Sequence, residues 1–302
     1  MRMAQQLRLL SVLTGLDRQT NPIETMGLNF PNRVGLAAGM DKSGLAVDAF
    51  GAIGFGHVEV GTVTPVPQSG NPQPRLFRLV EHQGIINRMG FNNPGVEQMM
   101  RNLDHSAKNF EGVLGINIGK NAVTPNENAL DDYLTCFRGV YSRADYVTAN
   151  LSSPNTKGLR DLQTQNERDS LSTTHGKYVP ITIKIAPDLE KEAIEGLAGV
   201  FSETKIDGVI ATNTTISREV VKDHPLGDEA GGLSGAPLTN HSTEVIKILR
   251  GALDDSIPII GAGGIMNGDH AKAKVEAGAG LVQIYSGLVY RGPALVKECA
   301  GV

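Results

Sequence analysis

The chain has 302 residues, 40% of them hydrophobic and 20% charged, with 28 Lys and Arg against 32 Asp and Glu for a net charge of −4. Its 36 Gly and 15 Pro stay below the roughly 25–30% that marks low complexity, which argues against disordered, collagen-like and membrane-spanning classes. The missing basic excess argues against a general nucleic-acid binder. Cys136 and Cys299 lie far apart and outside any Cys-x-x-Cys spacing, which argues against a disulfide scaffold and a structural zinc site.

Residues 1–16 read MRMAQQLRLLSVLTGL. The apolar part is far short of the roughly 20 residues that span a bilayer, and a small-residue cleavage site is missing. As a helix, Leu7, Leu9, Leu10, Leu13 and Leu16 make a broad face beside Arg2 and Arg8, interrupted by Gln5 and Gln6. Such a helix packs on the domain or lies in a membrane interface.

Eight apolar runs follow, at 33–40, 57–63, 112–118, 145–151, 179–186, 208–212, 257–261 and 281–285. They are near-continuous rather than alternating, as in strands buried on both faces of a parallel sheet. Segments 93–110, 189–204, 242–253 and 269–277 read as helices between them. About 38 residues per unit is room for a strand and a crossover helix, so the pattern predicts a (β/α)8 TIM-type barrel. A doubly wound open sheet is disfavoured because residues 32–44 lack a Gly-x-Gly-x-x-Gly fingerprint. Segments 75–80 and 84–89 read as a β-hairpin inserted after the second strand, over the C-terminal mouth where this fold keeps its active sites.

The strand ends carry amides, hydroxyls, two lysines and glycine backbone, without paired carboxylates, a histidine-centred triad or a metal cluster. Such a mouth suits a planar, anionic, hydrogen-bonding ligand. Lys184, inside the fifth run, is costly to bury unless it meets an anion. Lys42 follows the first run, either as a ligand cation or as a partner of Asp41. Asn87, Asn117, Asn150, Asn155 and Asn213 all fall at predicted mouth positions and together resemble a recognition set for a ring with carbonyls and N–H groups. The glycines after the seventh run and the Ser-Gly after the eighth fall where barrels bind phosphate through backbone N–H groups. His57 and Glu59 sit inside a strand and read as packing.

Nine motifs then carry a resemblance: GLAAGMDK (35–42), EVGTVTP (59–65), PRLFRL (74–79), NRMGFNN (87–93), GINIGKN (115–121), ANLSSPNT (149–156), ATNTT (211–215), GGLSG (231–235) and VQIYSG (282–287). Over about residues 26–298 the chain resembles dihydroorotate dehydrogenase, in its class 2, quinone-dependent branch. The resemblance implies FMN as cofactor and oxidation of dihydroorotate to orotate in pyrimidine synthesis, with a quinone as final acceptor. It implies FMN contacts at Ala38, Gly39, Met40, Asp41, Lys42, Thr62, Asn117, Asn150, Lys184, Thr212, Gly235, Gly264, Tyr285 and Ser286. Substrate contacts are implied at Lys42, Asn87, Arg88, Met89, Gly90, Phe91, Asn150, Asn155, Asn213 and Thr214. Ser153 is the implied base, where class 1 members place cysteine, with Thr156 and the region of Phe91 as the proton's exit and Lys184 stabilising charge on the reduced flavin. Arg78 matches an arginine on the quinone side.

The expected division is a partial N-terminal helical extension over 1–25 and an FMN-binding barrel over 26–302. Class 2 members carry a longer extension that rests on the membrane, so peripheral attachment at the cytoplasmic face is expected to depend on how much of it is present. Segment 161–176 is shorter and more polar than its counterpart in the family. Competing readings are another FMN-dependent barrel oxidoreductase and a flavin-binding barrel without turnover.

Overall fold

The computed structural model describes residues 21–150 and 165–302, without the side chains of 165–167. The expected helix over 1–16, and Ser153, Asn155 and Thr156, lie outside the described residues.

Thirteen strands are described: β1 (Ile23–Thr25), β2 (Leu28–Phe30), β3 (Val34–Leu36), β4 (His57–Val63), β5 (Leu76–Leu79), β6 (Gly84–Asn87), β7 (Val113–Ile118), β8 (Tyr146–Asn150), β9 (Ile181–Ile185), β10 (Gly208–Ala211), β11 (Gly232–Gly235), β12 (Ile259–Ala262) and β13 (Leu281–Ile284). The helices are α1 (Val47–Ala52), α2 (Val96–Ser106), α3 (Ala129–Val140), α4 (Gln165–His175), α5 (Lys191–Thr204), α6 (Thr239–Ala252), α7 (Gly268–Glu276), α8 (Ser286–Arg291) and α9 (Ala294–Ala300).

Strands β3, β4, β7, β8, β9, β10, β12 and β13 close into a parallel barrel, each drawn from one of the eight apolar runs. Every residue of β4, β7, β8 and β9 is buried, which is why these strands read as continuous apolar stretches. The helices cover the barrel with faces of helical period. Tyr133, Cys136, Phe137 and Val140 are buried on α3, and Ile194, Leu197, Ala198 and Phe201 on α5, spacings of three and four that bring one stripe inward. Helix α6 starts earlier than the periodicity suggests, because a 3-10 turn over Ala236–Leu238 runs directly into it. Helix α7 starts at an Asn267 cap that accepts a hydrogen bond from His270 N at 2.8 Å, as N-cap residues do.

The two ends of the barrel differ. At the N-terminal end the β1–β2 hairpin, which runs across the 25/26 division, packs Ile23, Met26 and Leu28 on Phe30, Val113, Tyr146, Ile210, Ile260 and Leu281. At the other end the predicted hairpin forms as β5–β6, with Leu76 opposite Asn87 and Leu79 opposite Gly84. It gains a partner that the sequence did not announce. Strand β11 pairs antiparallel to β6 from Gly232–Asn87 to Gly235–Gly84, and Leu79, Ile86, Val221 and Leu233 form a small separate core beneath. Gly-Leu-Ser-Gly has no strand-like alternation, and only the open edge of β6 selects this conformation.

Candidate active site

A cavity of about 310 Å³ opens at the C-terminal ends of the barrel strands, in the size range of small-ligand sites. Of the expected residues, Ala38, Gly39, Lys42 and Thr62 line it from the first two barrel strands. Asn87, Met89, Gly90 and Phe91 line it from the loop after β6, and Asn150 and Lys184 from β8 and β9. Thr212, Asn213, Thr214, Gly235, Gly264, Tyr285 and Ser286 complete the wall. Residues as far apart in sequence as Ala38 and Ser286 thus meet because every parallel strand ends on one rim.

Five expected residues do not line this cavity. Arg88 turns away, pairing with Glu229 at 2.6 Å and stacking on Phe77 with its guanidinium carbon 4.6 Å from the ring centre. Asp41 accepts from Leu45 N at 2.9 Å and Ala46 N at 2.8 Å, holding its own loop rather than pairing with Lys42. Met40 packs against the main core. Arg78 is exposed on β5. Asn117 is fully buried within β7, one layer behind the wall.

Asn117 belongs to a directed chain of hydrogen bonds. Asn213 Nδ2 donates to Asn150 Oδ1 at 3.1 Å, and Asn150 Nδ2 to Thr62 Oγ1 at 3.3 Å. Thr62 Oγ1 donates to Asn117 Oδ1 at 2.6 Å, and Asn117 Nδ2 to Glu59 Oε1 at 2.8 Å. Every donor points toward the buried carboxylate, so the charge on Glu59 fixes which way the amides of the rim face. The other oxygen of Glu59 accepts from Tyr146 Oη at 3.0 Å, Thr148 Oγ1 at 3.1 Å and Gln283 Nε2 at 2.8 Å. Glu59 therefore organises the barrel interior, in keeping with its strand position. His57 packs edge-on against Phe30, and burial pulls its pKa down to about 3, so the ring stays neutral.

Two cations face the cavity. Lys184 is 7% exposed. Burial lowers its pKa, and the nearby Glu59 charge opposes that shift without cancelling it. Lys42 is lowered to about 8, chiefly by burial and then by the charges of Arg75 and Lys184. Cations clustered against their mutual repulsion, in a partly desolvated cleft, are arranged for anions.

The wall also holds residues that the sequence reading passed over. Gln283 lines the cavity while its Oε1 is buried without a partner, an acceptor waiting for an N–H. Ser234 joins the glycine-rich end, where Gly263 and Gly287 stand as the glycines expected there. Gln283 could have been found as the polar residue inside the last apolar run. Ser234 could not, since it depends on β11.

A profile of the dihydroorotate dehydrogenase family matches residues 22–300. A dihydroorotate dehydrogenase (quinone) of Neisseria meningitidis serogroup B is 55% identical over 301 residues, covering 96% of this chain and 89% of that protein. One from Chromobacterium violaceum is 59% identical over 290 residues, covering 92% and 84%. A crystal structure of DHODH from Eimeria tenella in complex with ferulenol superimposes with a TM-score of 0.86 at 36% identity, over 99% of this chain and 89% of that one.

Proposed function

The chain belongs to the dihydroorotate dehydrogenase family, and from this we propose that it oxidises dihydroorotate to orotate, with FMN accepting the hydride and a quinone the electrons, in pyrimidine biosynthesis. The observation that carries the reading is the convergence of Lys42, Lys184, Asn150 and Asn213 on one cavity. A carboxylate-bearing ring with alternating carbonyl and N–H groups matches that set of cations and amides.

The residues present fit FMN. The unpaired Oε1 of Gln283 offers an acceptor, and the buried ammonium of Lys184 a positive charge. At the glycine-rich end, a Cβ on Gly264 would lie 2.4 Å from Thr239 N, and Gly264 has φ +70°. Only glycine therefore lets this turn lie against the start of α6 while its backbone lines the cavity, where N–H groups suit a phosphate. When bound, FMN supplies the capacity to accept a hydride.

The chain's own groups do the rest. Lys184 would favour negative charge on a ring held in the cavity, a fixed electrostatic contribution that needs no rearrangement. Lys42 and the amides of Asn150 and Asn213 hold the substrate's anionic and carbonyl groups. We assign Ser153, three positions beyond Asn150, as the base that takes the C5 proton. A serine is a weak base, so Thr156 and the region of Phe91 are assigned to pass that proton on. Met40, Asp41 and Asn117 support the flavin site from behind, and Arg88 anchors the loop carrying Asn87. Residues 1–25 are assigned as an N-terminal extension to the barrel of 26–302. Arg78 and that extension are assigned to the quinone side, with peripheral contact to the cytoplasmic face of the membrane. Among the described residues no helix is long and apolar enough to cross a membrane.

Anaerobic mixing of the purified protein with dihydroorotate, followed by flavin absorbance, tests the reading. Rapid bleaching that is reversed by added quinone is expected. A yellow protein that stays yellow overturns the substrate assignment, and a colourless protein that takes up no FMN overturns the cofactor.

A further inference from the structure

Lys274, on α7, has no exposed surface. Its Nζ lies 2.5 Å from Ser242 Oγ, 3.1 Å from Thr243 Oγ1 and 3.4 Å from the Thr239 carbonyl oxygen, all on α6. These partners are neutral. Among the described residues no carboxylate stands within ion-pair reach, and burial alone lowers the pKa of this lysine to about 7. A buried ammonium without a counter-charge is costly. An ordinary core position of this size would be filled by leucine or methionine.

The surroundings show where a counter-charge would stand. Ser242 Oγ, the nearest partner of Lys274, also lies 2.9 Å from the Gly263 carbonyl oxygen, to which it donates. Thr239 Oγ1 donates to the Gly264 carbonyl at 2.6 Å. Both carbonyls of this turn are therefore held toward α6. In a planar trans peptide the N–H points opposite to its C=O, so the N–H groups of Gly264 and Ile265 face away from α6. Gly263, Gly264 and Ile265 all line the cavity, together with Gly235 and Ser286. The turn thus lies between a cavity at one side and a buried cation at the other, with one hydroxyl joining them.

We propose that Lys274 is the buried counter-charge for the FMN phosphate, acting through Ser242 and the Gly263–Gly264 turn without touching the cofactor. The proposal rests on the FMN reading above. Its energetic sense is that the lysine is a burden in the apoprotein and becomes favourable when a dianion occupies the far side of the turn. The role is positional and electrostatic, so it discriminates between flavins with and without a phosphate.

The test compares FMN with riboflavin, which has the same ring and no phosphate, binding to the apoprotein of the wild type, Lys274→Met, Lys274→Gln and Ser242→Ala. Lys274→Met and Lys274→Gln should weaken FMN about 10- to 30-fold, as loss of one unit charge in a partly shielded site requires, and change riboflavin less than about twofold. Ser242→Ala, which keeps the charge and removes the joining hydroxyl, should lose a smaller part of the preference for FMN. Thermal unfolding of the apoproteins adds a second readout. Lys274→Met should melt no lower than wild type, because it removes an unpaired buried charge. Equal losses for both flavins, or no loss for either, overturn the proposal while leaving the cofactor reading intact. A wild-type apoprotein that takes up neither flavin overturns the cofactor reading itself. Should Lys274→Met fail to fold, the Gln and Ser242→Ala variants carry the same comparison, and an unchanged FMN preference in both refutes the role.

Discussion

Replacing Glu59 by glutamine should destabilise the protein by about 3–5 kcal/mol, the usual cost of removing one partner from a buried charged network. The carboxylate takes hydrogen bonds from Asn117 on one oxygen, and from Tyr146, Thr148 and Gln283 on the other. An amide has only one oxygen, so whichever way it is placed, its N–H2 faces either the Asn117 or the Gln283 amide. The hydroxyls can turn, and Thr148 already has Thr182 Oγ1 at 2.8 Å as an alternative, but the facing amides cannot both be satisfied without flipping. One charge-assisted hydrogen bond accounts for roughly 1.5–3 kcal/mol. The rest comes from Lys184, which loses the Glu59 charge that opposes the lowering of its pKa. Urea unfolding of the apoprotein gives the loss directly. The double variant Glu59→Gln with Lys184→Met should recover part of it, because the stranded ammonium is gone. A loss below about 1 kcal/mol, or a double variant no more stable than the single one, would refute the account of Glu59 as the anchor of this network.

Two further outcomes follow from the cavity wall. Lys42, lowered to about 8 by burial and by Arg75 and Lys184, binds an anion in its protonated, low-pH form. Orotate affinity measured by calorimetry should therefore be flat below about pH 8 and weaken above it, by up to about tenfold per pH unit. Lys42→Met should bind weakly with no such pH dependence, and a wild-type profile flat through about pH 9.5 would contradict the assignment. Gly264→Ala forces a left-handed alanine with its Cβ 2.4 Å from Thr239 N, where the backbone cost alone is about 1 kcal/mol. The protein should purify with less than about a tenth of the wild-type flavin, while Gly292→Ala, at φ +68° with nothing within 4 Å, should keep its flavin. Equal flavin content in the two variants would rule out a role for the Gly264 turn in holding the flavin.

The barrel was legible in the sequence because its signal is local. A strand buried on both faces needs a continuous apolar run, and eight such runs appear in order. The rim was legible for the same reason. Parallel strands all end on one side, so a polar residue at the end of each run is placed without knowledge of its neighbours. That logic put Asn150, Lys184, Asn213 and Tyr285 around one cavity.

What the sequence could not supply is the direction in which a side chain turns once its partner comes from elsewhere. Arg88 stands among residues that line the cavity, yet Glu229 and Phe77 draw it outward. Asn117 looked like a rim residue and lies behind it, because its amide is shared between Thr62 and Glu59. Strand β11 forms only because β6 leaves an edge open. Glu59 and Gln283 are 224 positions apart, and the lysine of α7 stands behind a glycine turn that no local pattern links to it. Periodicity and strand polarity decide the fold and the place of the site, whereas hydrogen-bond partners brought together across the closed barrel decide which of its residues face the ligand.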